Sequence, residues 1–257
     1  MLQWLEKTNM KKILTFNIVL FFFINNTQAQ LFGGQILNMG IEQQYPPSTF
    51  CTFPTVIVEV LNPVTNKIWM DRNLGASQIA TISPSLGPGA PVDWGAFGDL
   101  YQWGRRSDGH QCRNNLNGWS NPPLSQLDQP QHGEIIECTL APYDWRSPQN
   151  NNLWQGVNGI NNPCPNGFRL PTATELNNER LSWGSNSSVG AFNSPLKFPI
   201  AEMHLHNGSL NIAMFYGCYW SSTINGTNAI NLYFDGGSAL NQINNRVNAL
   251  SVRCIKN

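Results

Sequence analysis

Between Asn161 and Leu176 the chain reads Asn-Asn-Pro-Cys-Pro-Asn-Gly-Phe-Arg-Leu-Pro-Thr-Ala-Thr-Glu-Leu, and few runs leave a backbone less choice. Pro163, Pro165, Asn166 and Gly167 demand a turn and exclude a helix. Phe168 to Leu170 then reads as extended. Thr172 stands three residues ahead of Glu175, the spacing of a capping box at a helix start. The run therefore predicts a turn carrying Cys164, a short extended piece, and a short helix from Thr172 to about Arg180. A chain built around such a segment is rich in tight turns and short elements, and 22 Gly and 17 Pro among 257 residues extend that expectation to the whole molecule.

Those turns need a core to hold them, and nine Trp and thirteen Phe supply the apolar surface for one. Only 12% of residues are charged and the formal net charge is zero. This lacks the basic stripe that a nucleic-acid partner requires. The N-terminus has the layout of a signal peptide. Met10-Lys11-Lys12 is basic, Ile13 to Ile24 is mostly apolar, and Thr27-Gln28-Ala29 places small residues at a cleavage site. Residues 1–29 are read as that signal, with Met10 as an alternative start. The apolar run is short for a membrane span, so no transmembrane segment is expected after cleavage. The protein is expected outside the cytoplasm, whether extracellular, at the cell surface or in a periplasm. Residues 30–50 read as a linker or N-terminal arm and 51–257 as one domain. All six cysteines (Cys51, Cys112, Cys138, Cys164, Cys218, Cys254) lie in that domain, and an even count in an exported chain points to disulfides.

Along the domain, Thr55 to Leu61 is β-branched and apolar, the mark of a central buried strand, and Lys67 to Met70 can return beside it after the Asn62-Pro63 turn. Leu250 to Ile255 is the late segment of similar character, and the two are expected to pair. Asp71, Arg72 and Asn73 read as a polar turn fastening strand to loop. Phe97, Leu100, Tyr101 and Gly104 have helical spacing. Residues 112–160 show no period and read as a long irregular excursion pinned by Trp119, Trp145 and Trp154. Later strand pieces are expected at Leu196 to Ile200, Glu202 to Leu205, Tyr219 to Thr223, Ala229 to Phe234 and Leu250 to Ile255. Asn225-Gly226 is a hairpin signal, and Asn207-Gly208-Ser209 and Asp235-Gly236-Gly237 are turns.

Several of these runs in the same order carry a resemblance. Asn62 to Ala76, Phe97 to Gly104, Arg105 to Gln111 and Asn161 to Leu176 are similar to the Fibrobacter succinogenes major paralogous domain, a family of secreted bacterial proteins. The Leu-Pro-Thr-Ala-Thr-Glu segment also resembles the sulfatase-modifying, formylglycine-generating group. The resemblance covers roughly Leu61 to Asn257. It implies an α+β, C-type-lectin-like fold: short helices and a long irregular loop region around small antiparallel sheets, with the first and last strands of the domain paired. It also implies a Cys164–Cys254 disulfide. Cys112 and Cys138 fall outside the family pattern and flank the same irregular loop, so they are expected to pair with each other. Cys51–Cys218 is left by elimination. Tyr219 to Cys254, with Asn225, Asn228, Asn231, Asn241, Asn244, Asn245 and Asn248, resembles the variable end of lectin-like proteins diversified by bacterial retroelements.

Catalytic chemistry finds little support. An oxidase of the formylglycine-generating type needs two closely spaced cysteines near the C-terminus, and Cys218 and Cys254 are far apart. His204 and His206, with Glu202, would share one face of a strand, but a surface histidine pair is the expectation, with no metal site and no cofactor. His110 and His132 lie in loops without a nucleophile arrangement. The favoured reading is a non-catalytic recognition module for a protein or glycan. A structural, envelope-associated protein and a degenerate oxidase are the alternatives. In the strand at Ala229 to Phe234, hiding Ile230, Leu232 and Phe234 turns Asn231 and Tyr233 outward. Asp235, Asn241, Asn244, Asn245 and Arg246 would continue that polar surface as the binding site.

Overall fold

A computed structural model describes residues 55–84, 91–113, 122–206, 210–211 and 215–257. The residues read as a signal peptide (1–29) and as an arm (30–50), Cys51, Trp119 and the expected turn at 207–209 lie outside the described residues. In chain order the elements are β1 (Glu59–Asn62), β2 (Lys67–Met70), α1 (Trp94–Phe97), β3 (Tyr101–Gln102), β4 (Phe168–Arg169), α2 (Ala173–Leu181), α3 (Ser188–Asn193), β5 (Met203–His204), β6 (Leu210–Asn211), β7 (Tyr216–Asn225), β8 (Asn228–Asp235), β9 (Ala239–Asn244), β10 (Ala249–Leu250) and β11 (Ile255–Lys256). They form three small antiparallel sheets, ordered β1-β2-β11-β4, β3-β10-β5-β6 and β7-β8-β9. The class is α+β.

The segment at 161–176 folds as its sequence dictates. Gly167 takes a positive φ of 83° and β4 follows. Thr172 then caps α2: its side chain accepts from Glu175 N, and Glu175 Oε2 accepts from Thr172 N at 2.8 Å. Arg169 clamps both carboxylate oxygens of Glu175 at 2.8 Å. Cys164 in the preceding turn is disulfide-bonded to Cys254 just before β11, with Cα atoms 5.9 Å apart. One short stretch thereby ties a turn, a helix start and the end of the chain together.

The first strand and the last share a sheet, although not as neighbours. Ile255 pairs with Trp69 of β2 and with Arg169 of β4, so β2 lies between β1 and β11. Thr55 to Val60 is therefore not a central strand. Val56, Ile57 and Val58 precede β1 and are exposed, and β1 is a sheet edge. The late segment also divides: β10 joins the second sheet and only β11 closes the first.

The spacing at 97–104 does not make a helix. Gly98 takes a φ of 69°, and a side chain there would come within 2.2 Å of Leu74 O. That close crossing stops α1, and Tyr101–Gln102 emerges as β3 with Leu100, Tyr101 and Trp103 all buried. Leu196 to Ile200 is not a strand: Leu196 belongs to the turn that follows α3, and Lys197 takes a positive φ of 45°. The polar turn is as read. Asp71 and Arg72 pair at 2.8 Å, and Asn73 donates to Phe97 O and Tyr219 Oη while accepting from Arg253 Nε.

Residues 122–160 contain no helix or strand beyond a single bridge between Ser125 and Arg146. Two tryptophans hold this excursion. Trp145 Nε1 donates to Trp103 O at 2.7 Å, and Trp154 Nε1 donates to Arg105 O and Asn161 O.

The β7-β8-β9 meander is the spine of the domain because both of its faces are covered. On one face Cys218, Trp220 and Ala229 meet Met70, Trp103, Trp154 and Leu250. On the other, Tyr219, Leu232, Phe234 and Ala239 meet Trp69, Leu176, Trp183 and Phe198. Gly217 is required there, since a Cβ would sit 2.3 Å from the Phe234 ring.

Two expected disulfides do not form. Cys138 and Cys218 are free thiols. The Cys138 thiol donates to Leu140 O at 3.2 Å inside a small core with Ile136, Trp145 and Val247. Cys218 points into the core from β7 and is fully buried. Cys112 is disulfide-bonded, so Cys138 is not its partner.

Candidate functional site

The sheet at β7-β8-β9 positions the residues proposed from the sequence. The hairpin turns at Gly226-Thr227, where Asn225 faces Asn228 and Gly226 has a φ of 58°. β8 and β9 are then joined by the turn after Asp235, and strict alternation follows: Ile230, Leu232 and Phe234 on one face, Asn231, Tyr233 and Asp235 on the other. The alternation is as expected, but neither face is simply solvent.

Asn231 is fully buried, and its Nδ2 donates to Leu232 O at 3.2 Å. Arg246 is also fully buried. Its guanidinium lies 4.6 Å from the Trp103 ring centroid, and Nη2 donates to Asn151 Oδ1 at 2.7 Å and to Gly226 O at 3.2 Å. Asn241 Nδ2 donates to Ala173 O at the start of α2. These three are structural, because the cores over both faces of the sheet leave little of it outside.

Tyr233 and Asp235 do come together at a surface. The half-buried Tyr233 hydroxyl donates to Asp235 Oδ2 at 2.9 Å, and Asp235 Oδ1 accepts from Gly237 N and Ser238 N at 2.8 Å each. The Gly237 amide, with the Tyr233 and Ser238 hydrogen bonds, holds the Asp235 carboxyl below its ordinary range. Burial, together with the Asp235 carboxylate, pushes the Tyr233 hydroxyl up to about 12, so it stays a donor. The Tyr216 ring lies 5.6 Å from that of Tyr233 at 33°, and Leu240, 43% exposed, stands directly across from Tyr233. Gln242, two residues along the same face, is half-buried. Asn244 and Asn245 sit at the other end of β9, about 17 Å away at strand rise. There Asn244 Oδ1 accepts from Asn245 N and Asn248 Nδ2. Of the seven residues, Tyr233 with Asp235 and Asn244 with Asn245 form two separate surface groups, Asn231 and Arg246 are buried, and the half-buried Asn241 is tied to α2.

Tyr216, Leu240 and Gln242 escaped the sequence reading. Their signal was register: once Asp235-Gly236-Gly237 is a turn, Leu240 must oppose Tyr233.

Two histidine arrangements are structural. Glu202 is buried in an ion pair with Arg113. His204 is buried rather than on the surface, and burial lowers its pKa to about 4. His206 falls beyond β5, half-buried against the Tyr143 ring. His110 is buried with both nitrogens engaged: Nε2 accepts from Gln102 N at 3.1 Å, and Nδ1 donates to Asp108 Oδ1 at 2.6 Å. Burial and the nearby Arg105 lower its pKa to about 4, so it is a neutral brace with no free nitrogen for proton transfer. Among the described residues no group of three His, Cys, Asp or Glu is placed to hold a metal ion.

A further feature the sequence concealed is a set of buried arginines lying on aromatic rings: Arg105 on Trp145, Arg113 on Phe97, Arg246 on Trp103 and Arg253 on Phe198, at 4.6 to 5.7 Å. In so weakly charged a chain they serve the core. No family model, curated protein or solved structure matches this chain.

Proposed function

We propose that this protein is an exported, non-catalytic recognition module of C-type-lectin-like fold that binds a protein or glycan on the face formed by Tyr216, Tyr233, Asp235, Leu240 and Gln242. One observation carries the reading. An aromatic pair, an exposed leucine and a carboxylate already held by its turn share one face of a sheet buried elsewhere, so a ligand would meet a rigid platform. The lectin-like fold is supported by the sheet shared between the first hairpin and the last strand, the Cys164–Cys254 bond and the long irregular excursion. Export is supported by that disulfide together with the N-terminal sequence. The oxidase alternative loses ground, because Cys254 is bonded to Cys164 and Cys218 is a buried thiol pushed up to about 12 by burial.

The test is a panel of glycans and cell-surface proteins probed with the purified chain and with a Leu240→Ser, Gln242→Ala double variant. Both side chains are at the surface, so folding stability should change within about 0.5 kcal/mol each. The double variant should lose binding to any partner of the parent. Undiminished binding would remove the site from this face, and no binding by the parent would favour a purely structural role.

A further inference from the structure

A second concave site lies away from that platform. A cleft of about 310 Å³ opens between the β1–β2 turn and α2, lined by Val64, Thr65 and Lys67 on one side and Asn178, Leu181 and Ser182 on the other. Its walls are bolted together by one asparagine. Asn62 Oδ1 accepts from Val64 N at 2.9 Å, and Asn62 Nδ2 donates to Glu179 Oε2 at 2.6 Å and to Ser182 Oγ at 2.8 Å. A pre-formed cleft of this size is at the small end of ligand pockets.

Its chemistry is uneven in an informative way. Glu175 also lines it, but both oxygens of that carboxylate are spent on Arg169 and on the Thr172 cap. Lys67 is exposed and forms no ion pair among the described residues, which leaves one free cation at the rim. Val64 and Leu181 are 73% and 63% exposed, two aliphatic side chains with no apolar cover. Asn178 is exposed and offers both a donor and an acceptor. Aliphatic walls give no aromatic face for a sugar ring to lie on. A free cation beside two aliphatic groups and an amide suits a carboxylate, an apolar chain and a peptide group in sequence.

We infer that this cleft takes the C-terminal end of a peptide with an aliphatic last residue. The carboxylate meets Lys67 Nζ, the side chain lies between Val64 and Leu181, and the last peptide group meets Asn178. The site is independent of the Tyr233 platform.

The test is calorimetric or NMR titration of the full chain with acetyl-Ala-Ala-Leu as the free acid, the same peptide as its C-terminal amide, hexanoate and methyl glucuronide. The free acid should bind saturably. The amide, and the free acid on Lys67→Ala, should bind at least about tenfold more weakly, the loss of one charge-assisted contact. Leu181→Ser should weaken binding while leaving the thermal midpoint unchanged, because Leu181 is at the surface. The Leu240→Ser, Gln242→Ala variant should bind the peptide as the parent does. Absence of binding, equal binding of acid and amide, or an unaffected Lys67→Ala variant overturns the inference. Tighter binding of hexanoate or of the glucuronide overturns the assignment to a peptide end.

Discussion

Replacing Arg253 by methionine sets a buried charge against the groups it satisfies. The guanidinium is 1% exposed, and burial lowers its pKa from 12.5 to about 10. The folded state therefore gives up about 3 kcal/mol to keep it charged at neutral pH, and methionine would recover that. Against this stand four acceptors: Leu196 O at 2.6 Å, Asn73 Oδ1 at 3.0 Å, Asp71 O at 3.2 Å and Met70 O at 3.4 Å. Leaving a buried acceptor without its donor costs about 1–3 kcal/mol. Loss of the Phe198 stacking at 4.7 Å adds about 2 kcal/mol in a desolvated site. Taking the two shorter bonds near the top of that range and the two longer ones near the bottom, the losses exceed the gain by about 7 kcal/mol. That is a large part of the total stability of an ordinary domain. Urea unfolding of the purified chain, followed by tryptophan fluorescence, should show the midpoint falling steeply with an unchanged slope. A variant within about 1 kcal/mol of the parent would mean that solvent or rearranged donors replace the guanidinium, and the arginine would not be a core element.

Two further outcomes follow from the buried histidines and the thiols. His110 and His204 have folded pKa values near 4 against 6.5 for the unconstrained group, so the unfolded chain binds protons first as pH falls. Their contribution is fully present above about pH 6.5 and is lost progressively toward pH 4. Thermal midpoints measured across that window should decline, and His204→Gln should flatten the decline. An identical slope in that variant would remove His204 from the explanation. Unfolding the chain without reductant in the presence of an alkylating reagent should label Cys138 and Cys218 and leave Cys112, Cys164 and Cys254 unlabelled. Native protein should react slowly, since both free thiols are buried. Labelling of Cys112 together with protection of Cys138 would contradict the arrangement.

What the sequence determined alone was local. Thr172 and Glu175 are three residues apart, and the hydrogen bonds of a capping box close within that span whatever surrounds it. Asn225-Gly226 and Asp235-Gly236-Gly237 set the two turns of the meander for the same reason, and the two-residue period of β8 placed Leu232 and Phe234 on one face. Only the tertiary structure decided what lies over each face. A period states which side chains travel together; it carries no information on whether a second core covers the opposite side. Here Trp103, Trp154 and Leu250 do so, and Asn231 is buried although its position reads as outward. Thr55 to Val60 has the composition of a buried strand, yet β2 takes the place beside β11 and leaves the earlier residues at an edge. The arginines are the plainest case. An arginine in a sequence reads as surface because burying its charge is costly, and that cost is met only where distant carbonyls and a ring converge, as Leu196 O, Asn73 Oδ1 and Phe198 do around Arg253. Such convergence arises from residues up to 183 positions apart, beyond the reach of any local pattern.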